Sequence, residues 1–316
     1  MLRRSIRWLQ SRGQRRGLIL LYHRVAETAA DPFRICVSPA QFAGEMQVLS
    51  QAFTPMSLEE MVVAAGSGTL PPRAVAVTFD DGYLDNLECA LPILEQHQIP
   101  ATFFVVTGNP GQQFWWDRLA HAVYTPNELR PRLTLTIMGN LERLQVQDNP
   151  AGRRRLVLQL HRLLLPVAEA EREAVLADLH AWAGSEQCAD AETRLMSDAE
   201  LLTIAASGCV TIGAHTMTHP RLSTLSVEQQ RDELRQSKSH LESIIQAPVT
   251  SFSYPFGMPE DFTDETLRLV KQEGYQSACT NLVGVVTAGS DHFQLPRYWI
   301  GNWSASQFRR RLSRWL

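Results

Sequence analysis

Apolar residues along this chain fall into two alternating rhythms. Short continuous runs, "GLILLYHRV" (17–25), "AVAVTF" (74–79), "ATFFVVTG" (101–108), "CVTIGA" (209–214), "TSFSYPFG" (250–257) and "SACT" (277–280), predict strands buried on both faces. Between them, apolar positions spaced by three and four predict helices at 38–53, 85–99, 197–207, 226–245 and 263–274. Ser38 followed by Pro39 supplies a cap and a first turn for the earliest of these. Strand and helix in alternation imply parallel strands with helices outside, hence an α/β barrel or an open sheet. Residues 109–196 break the rhythm. "RLTLTIMGNLERLQV" reads as a hairpin turning at Gly139-Asn140, and 153–184 as amphipathic helix broken near Pro166. This stretch is expected to be a mostly helical insertion on one barrel loop.

Two polar clusters follow apolar runs. The strand "AVAVTF" runs straight into Asp80, Asp81 and Gly82. Two adjacent carboxylates at a buried strand end need a cation, a shared proton or open water. The run "CVTIGA" leads into "HTMTH", which sets His215 and His219 four residues apart. Pro220 disfavours helical geometry at His219, so a single turn or loop is expected there. In a parallel barrel all strand C-termini open on one face, which brings the two clusters together. Two imidazoles and one carboxylate make a three-ligand metal site with an open position, and the other aspartate stays free as a base. A third cluster, "SYPFG", predicts a rigid turn at a strand end whose N–H groups face the cleft.

"TFDDG" and "HTMTH", in that order, resemble the first two motifs of the polysaccharide deacetylase family, the carbohydrate esterases with a nodulation-type deacetylase domain. "YPFG" is similar to a variant of the third. The resemblance covers roughly residues 17–300, and it implies a distorted (β/α)7 barrel over 17–316, interrupted by the insertion at 109–196. It also implies Asp81, His215 and His219 as ligands of a divalent metal, zinc foremost, Asp80 as general base, and the Phe256 N–H in an oxyanion hole. The chain departs from the pattern twice. Where the family carries the arginine that holds the base, this chain has Ser253, and Arg297 in "LPRYWI" is the candidate to enter that space from another strand. The last family motif, Leu-x-His, is missing near the C-terminus. If the N-terminal strand takes the place of the last barrel strand, His23 in "LLYHRV" becomes the general acid. That permuted order resembles the exopolysaccharide deacetylases of biofilm systems.

Other features adjust this picture. Five cysteines are scattered without a CxxC pair, which argues against a thiol metal site or a disulfide framework. Trp115 and Trp116 are read as packing residues, and His97, His121, His161, His180 and His240 as solvated or locally bonded. His292 is a weak further site candidate. No apolar run approaches the ~20 residues of a membrane span, and Leu18–Tyr22 is too short for a signal core, so a cytoplasmic protein is expected.

The net charge of −3 hides basic ends: Arg3, Arg4, Arg7, Arg12, Arg15 and Arg16 at the front, and Arg309, Arg310, Arg311 and Arg314 at the back. Residues 1–16 read as a basic amphipathic tail. Phe308, Leu312, Trp315 and Leu316 likewise fall on one helical face, a pattern suited to peripheral contact with an anionic membrane. Nucleic acid is not an expected partner. The expected substrate is an N-acetylated glycan or its lipid- or nucleotide-linked precursor. A deformylase or non-sugar amidohydrolase using the same site, or a non-catalytic glycan-binding protein, are the alternatives, because fold does not fix function.

Overall fold

The computed structural model describes residues 15–28, 30–185 and 193–316. Contacts divide the chain into two compact units. One comprises the residues up to Glu27, Ile35–Gly111 and Leu195–Leu316; the other comprises Thr28–Arg34 and Gln112–Arg194.

The first unit is built on strands β1 (Gly17–Tyr22), β2 (Thr54–Pro55), β3 (Ala74–Phe79), β4 (Ala101–Val105), β5 (Val210–Ala214), β6 (Ser251–Ser253), β7 (Ser277–Cys279) and β8 (Tyr298–Trp299). They form one parallel sheet in the order β7-β6-β5-β4-β3-β1-β8, with β2 paired to β3. The fold is therefore α/β, a parallel sheet curled into a half-barrel with helices around it. β1 and β3 are buried at every position, as their unbroken apolar runs require. The ring is drawn together by residues 295–300. Leu295 exchanges hydrogen bonds with β7 through Ala278 and Thr280, and the Ile300 N–H reaches Leu21 of β1. Residues 295–300 thus bridge β7 and β1, and Arg297 lies within that bridge.

Two helices of this unit differ from the sequence reading. Leu58–Gly66 is a helix announced by a capping box, Ser57 with Glu60, that the apolar spacing alone does not reveal. The C-terminal helix Ala305–Trp315 buries the face expected to meet a bilayer: Phe308 and Leu312 are fully inside and Trp315 stacks on Tyr298 at 4.0 Å. Burying each of those two side chains contributes roughly 1.5–3 kcal/mol, which a membrane contact would have to replace. Of the expected 1–16 tail, residues 1–14 lie outside the described residues; Arg15 Nη1 donates to the Leu70 carbonyl at 3.1 Å.

The second unit has its own core, with Leu119, Val123, Leu133, Leu156, Leu160 and Leu176 among its buried residues. Its helices Pro150–Leu164 and Glu169–Ala183 part around Pro166. Its hairpin pairs Arg132–Ile137 with Asn140–Gln145. The turn is Met138-Gly139, one residue earlier than the expected Gly139-Asn140, because Ile137 and Asn140 are themselves a cross-strand pair. Both turn residues have positive φ, 50° and 75°, as a tight two-residue hairpin demands. Trp116 is buried and stacks on Phe114, while Trp115 stacks on His161, so both indoles pack as expected. Among the described residues no helix is long and apolar enough to cross a membrane.

Candidate metal centre and active site

β3 delivers Asp80 and Asp81 at its carboxyl end. The chain turns at once through two left-handed residues, Asp81 at φ 78° and Gly82 at φ 86°. A Cβ on Gly82 would sit 2.9 Å from Val105 Cγ1, so glycine is required by space as well as by conformation. Thr216 (φ 65°), His219 (φ 56°) and Phe256 (φ 61°) share that sparsely populated region. Four of the nine non-glycine residues with positive φ among the described residues thus gather here, as backbone strain does at functional sites.

The two neighbouring carboxylates, both buried, meet different partners. Arg297 grips Asp80 through two parallel bonds, Nη1 to Oδ1 at 2.7 Å and Nη2 to Oδ2 at 2.6 Å. Ser253 Oγ donates to the same Oδ2 at 3.1 Å. Arg297 is itself anchored: Nε donates to the Thr280 carbonyl at 3.0 Å and Nη2 to Asn281 Oδ1 at 2.7 Å. Burial alone pushes Asp80 up, but Arg297 and His215 override it and hold the carboxyl well below its usual range. Arg297 therefore occupies the space above Ser253, entering from the bridging segment, and the serine becomes part of the clamp.

Asp81 faces two imidazoles instead. Its Oδ1 lies 3.5 Å from His215 Nε2 and 3.4 Å from His219 Nε2, and it is buried with no hydrogen-bond partner among the described residues. Burial again raises this carboxyl, and the two histidines outweigh it and bring it down. His215 follows β5, where its N–H bonds the Val105 carbonyl at 3.0 Å. The segment to His219 is a turn and not a helix. It is tied internally by the His219 N–H to Thr216 Oγ1 at 3.1 Å. From outside it is tied by Glu233 of the helix Val227–Ile245, which accepts from the Met217 N–H (2.8 Å), the Thr218 N–H (3.0 Å) and the Thr218 hydroxyl (2.6 Å).

These residues fit a metal ion. One ligand atom from each of Asp81, His215 and His219 lies within 4.8 Å of the others, and all three residues are buried. His215 Nδ1 lies 2.7 Å from the Ser253 carbonyl, an acceptor, so Nδ1 keeps its proton. Burial opposes a second proton, but Asp80 and Asp81 outweigh it and raise this imidazole, so a cation at Nε2 would displace the proton there. Burial and the neighbouring His215 push His219 down to about 3, so that imidazole is neutral and able to ligate. A carboxylate oxygen with no donor beside two such nitrogens is a donor set in want of a cation.

The remaining candidates divide. His23 follows β1, its ring 5.1 Å from that of Trp299, and its Nδ1 is buried with no hydrogen-bond partner among the described residues. Burial lowers its basicity, and the charges of Asp81 and Asp80 partly offset this. Phe256 sits in the turn after β6. Its ring packs edge-on to His219 at 4.8 Å, its carbonyl accepts from Asn281 Nδ2 at 2.7 Å, and its N–H donates to no group among the described residues. His292 is not part of the cluster; its ring lies against Gly66 at the end of a helix. Sequence reasoning passed over Glu233, Thr280 and Asn281, whose roles come from contacts distant in sequence. Only Glu233 had a local sign, a carboxylate on the helix that follows the histidine turn.

The sequence profile of the family described as polysaccharide deacetylase matches residues 67–132 and 174–278. The chain belongs to the polysaccharide deacetylase family. It is accordingly a hydrolase, a polysaccharide N-deacetylase by family. Among curated proteins, YxkH of Bacillus subtilis is 20% identical over 294 residues, covering 92% of this chain and 73% of that protein. The poly-β-1,6-N-acetyl-D-glucosamine N-deacetylase of Staphylococcus aureus is 31% identical over 110 residues, 31% of this chain and 38% of that protein. Among solved structures, IcaB from Ammonifex degensii shares the fold with a TM-score of 0.61 at 19% identity, covering 95% of this chain and 97% of that one. Polysaccharide deacetylases are generally metal-dependent, which agrees with the donor set described above.

Proposed function

We propose that this chain is a metal-dependent N-deacetylase of a bacterial glycan built from amino sugars, or of its lipid- or nucleotide-linked precursor. The observation that carries the reading is the pairing of a buried triad of potential ligands, Asp81, His215 and His219, with an adjacent carboxylate gripped by Arg297. When bound at the triad, a divalent cation, zinc foremost, supplies Lewis-acid chemistry that polarises an amide carbonyl and makes water acidic enough for so weak a base as Asp80. Asp80, held ionised and oriented by Arg297, takes the proton of the attacking water. The Phe256 N–H receives the charge that develops on the carbonyl oxygen. His23 gives a proton to the departing nitrogen as the C–N bond breaks, and acetate and a free amine result.

The β-1,6-linked polymer named for the S. aureus relative is the first substrate to try. The same reading keeps the enzyme in the cytoplasm, at the inner membrane face when its substrate is lipid-linked. In that case any membrane contact falls to the N-terminal arginines, since the apolar face of the C-terminal helix is taken. The test is acetate release from β-1,6-linked N-acetylglucosamine oligomers by chelator-stripped protein, with and without added divalent ion. Release that depends on the ion supports the reading. Turnover without any divalent ion, or preferential cleavage of N-formyl or non-sugar amides, contradicts it.

A further inference from the structure

The residues just after the aspartate pair, Tyr83 to Asn86, are all buried, and three of them are polar or aromatic. Their partners lie on the segment that carries His23. Asn86 Nδ2 donates to the His23 carbonyl at 2.8 Å. Asp85 Oδ2 accepts from Arg24 Nε at 2.7 Å, a fully enclosed ion pair, and Asp85 Oδ1 accepts from the Val25 N–H at 3.1 Å. The same Oδ1 also takes Asn86 Nδ2 at 3.0 Å, so the two side chains brace each other. The Arg24 guanidinium lies over the Tyr83 ring, 4.9 Å from its centroid. Asn86 opens a π-helical turn, Asn86–Ala90, a local departure from α-geometry that is common beside functional sites.

The His23 ring itself has no such support. Its Nδ1 is buried without a hydrogen bond among the described residues, and its ring lies tilted at 39° to that of half-exposed Trp299, 5.1 Å away. A histidine whose ring is oriented by a carboxylate keeps its direction when the main chain shifts. This one takes its direction from the main chain. Loss of the backbone bonds at His23 and Val25 therefore displaces the ring as a unit, and a displacement near 1 Å is enough to cost two orders of magnitude in rate.

We propose that Asn86 and Asp85 are positioning residues for His23: they lock the main chain at residues 23–25 and so aim the proton donor at the nitrogen that leaves. The inference rests on the reading of His23 as that donor. It joins the two ends of "DDGYLDN" into one device, the first two carboxylates serving the carbonyl and water, and the last two residues serving the leaving group.

The test exploits a difference between leaving groups. An amide nitrogen departs only when protonated, whereas the phenolate of 4-nitrophenyl acetate leaves without a proton. The quantity read is the ratio of kcat/KM for a β-1,6-linked N-acetylglucosamine pentamer to that for 4-nitrophenyl acetate, on zinc-loaded enzyme with metal content measured in parallel. His23→Ala is expected to lower the ratio by roughly 10²–10⁴. Asn86→Ala is expected to lower it by about 10–100-fold, and to add nothing further in the His23→Ala background. Asp85→Asn, which keeps an acceptor for Val25 and drops the charge facing Arg24, serves as the second variant if Asn86→Ala does not fold, and shifts the ratio in the same direction. An unchanged ratio in both variants, equal losses on amide and ester, or additivity with His23→Ala would overturn the inference and leave the reading of His23 standing. An unchanged ratio in His23→Ala would overturn both.

Discussion

Asp80 and Asp81 are consecutive residues at the end of one buried strand, and the fold gives them opposite surroundings. Asp80 has three strong donors: two from Arg297 and one from Ser253. Asp81 has an oxygen with no hydrogen-bond donor among the described residues, set 3.4–3.5 Å from two imidazole nitrogens. A buried carboxylate must find a cation or give up its charge. Asp80 has a cation built into the chain, while Asp81 is placed to share one from outside. A third buried carboxyl shows the remaining solution. Glu45, wholly inside the core, accepts from the Tyr22 hydroxyl at 3.0 Å, its other oxygen has no partner among the described residues, and burial pushes it up to about 9, so it keeps its proton. Cation in the chain, cation from solution and retained proton are three answers to one electrostatic problem, and the proposed mechanism draws on the first two.

The comparison can be broken most severely at Arg297. Arg297→Ala leaves Asp80 as an unpaired buried charge, and removal of one partner of such a pair costs about 3–5 kcal/mol. Chemical denaturation is expected to show that loss together with near-complete loss of turnover; a loss below about 1 kcal/mol would mean that water replaces the guanidinium. The next effect concerns Glu45. Its folded pKa is raised, so the folded chain holds a proton that the unfolded chain releases above its ordinary 4.5. Its contribution is fully present below that value and fades as pH rises towards about 9. Wild-type stability is therefore expected to fall by roughly 3 kcal/mol between pH 6 and pH 8 from this group, and Glu45→Gln to flatten that slope. Identical pH slopes in the two proteins would count against a retained proton. The smallest effect is expected at Glu233, which touches no metal donor and holds the turn between the two histidines. Glu233→Gln is expected to weaken zinc affinity about tenfold or more, the scale of outer-shell partners, as read by competition with a chromogenic chelator. Unaltered affinity would show that the turn holds its shape without it.

Much of this site was legible in the sequence because its parts are local. Asp80-Asp81-Gly82 and His215-x-x-x-His219 are short patterns at the ends of apolar runs, and a parallel sheet brings strand ends to one face whatever lies between them. Arg297 could be named as a candidate, but its position depends on a six-residue bridge with only two residues of regular strand, too short for any period to announce. Glu233, Asn86 and Asp85 act across gaps in sequence and carry no periodic signal, so only the folded chain reveals them. The C-terminal helix is the instructive misreading. An amphipathic face with arginines around it fits a bilayer or a barrel wall equally well, and Phe308 and Leu312 are buried against the chain's own core.

The central claim is that adjacent aspartates divide the work, Asp81 holding the metal and Asp80 acting as base. Metal stoichiometry of Asp80→Asn and Asp81→Asn, measured by elemental analysis after dialysis against limiting zinc and set beside acetate release, tests it most directly. The account predicts that Asp80→Asn retains about one ion per chain with most turnover gone, while Asp81→Asn loses the ion itself. Equal loss of metal in the two variants, or retention in both, would contradict the division.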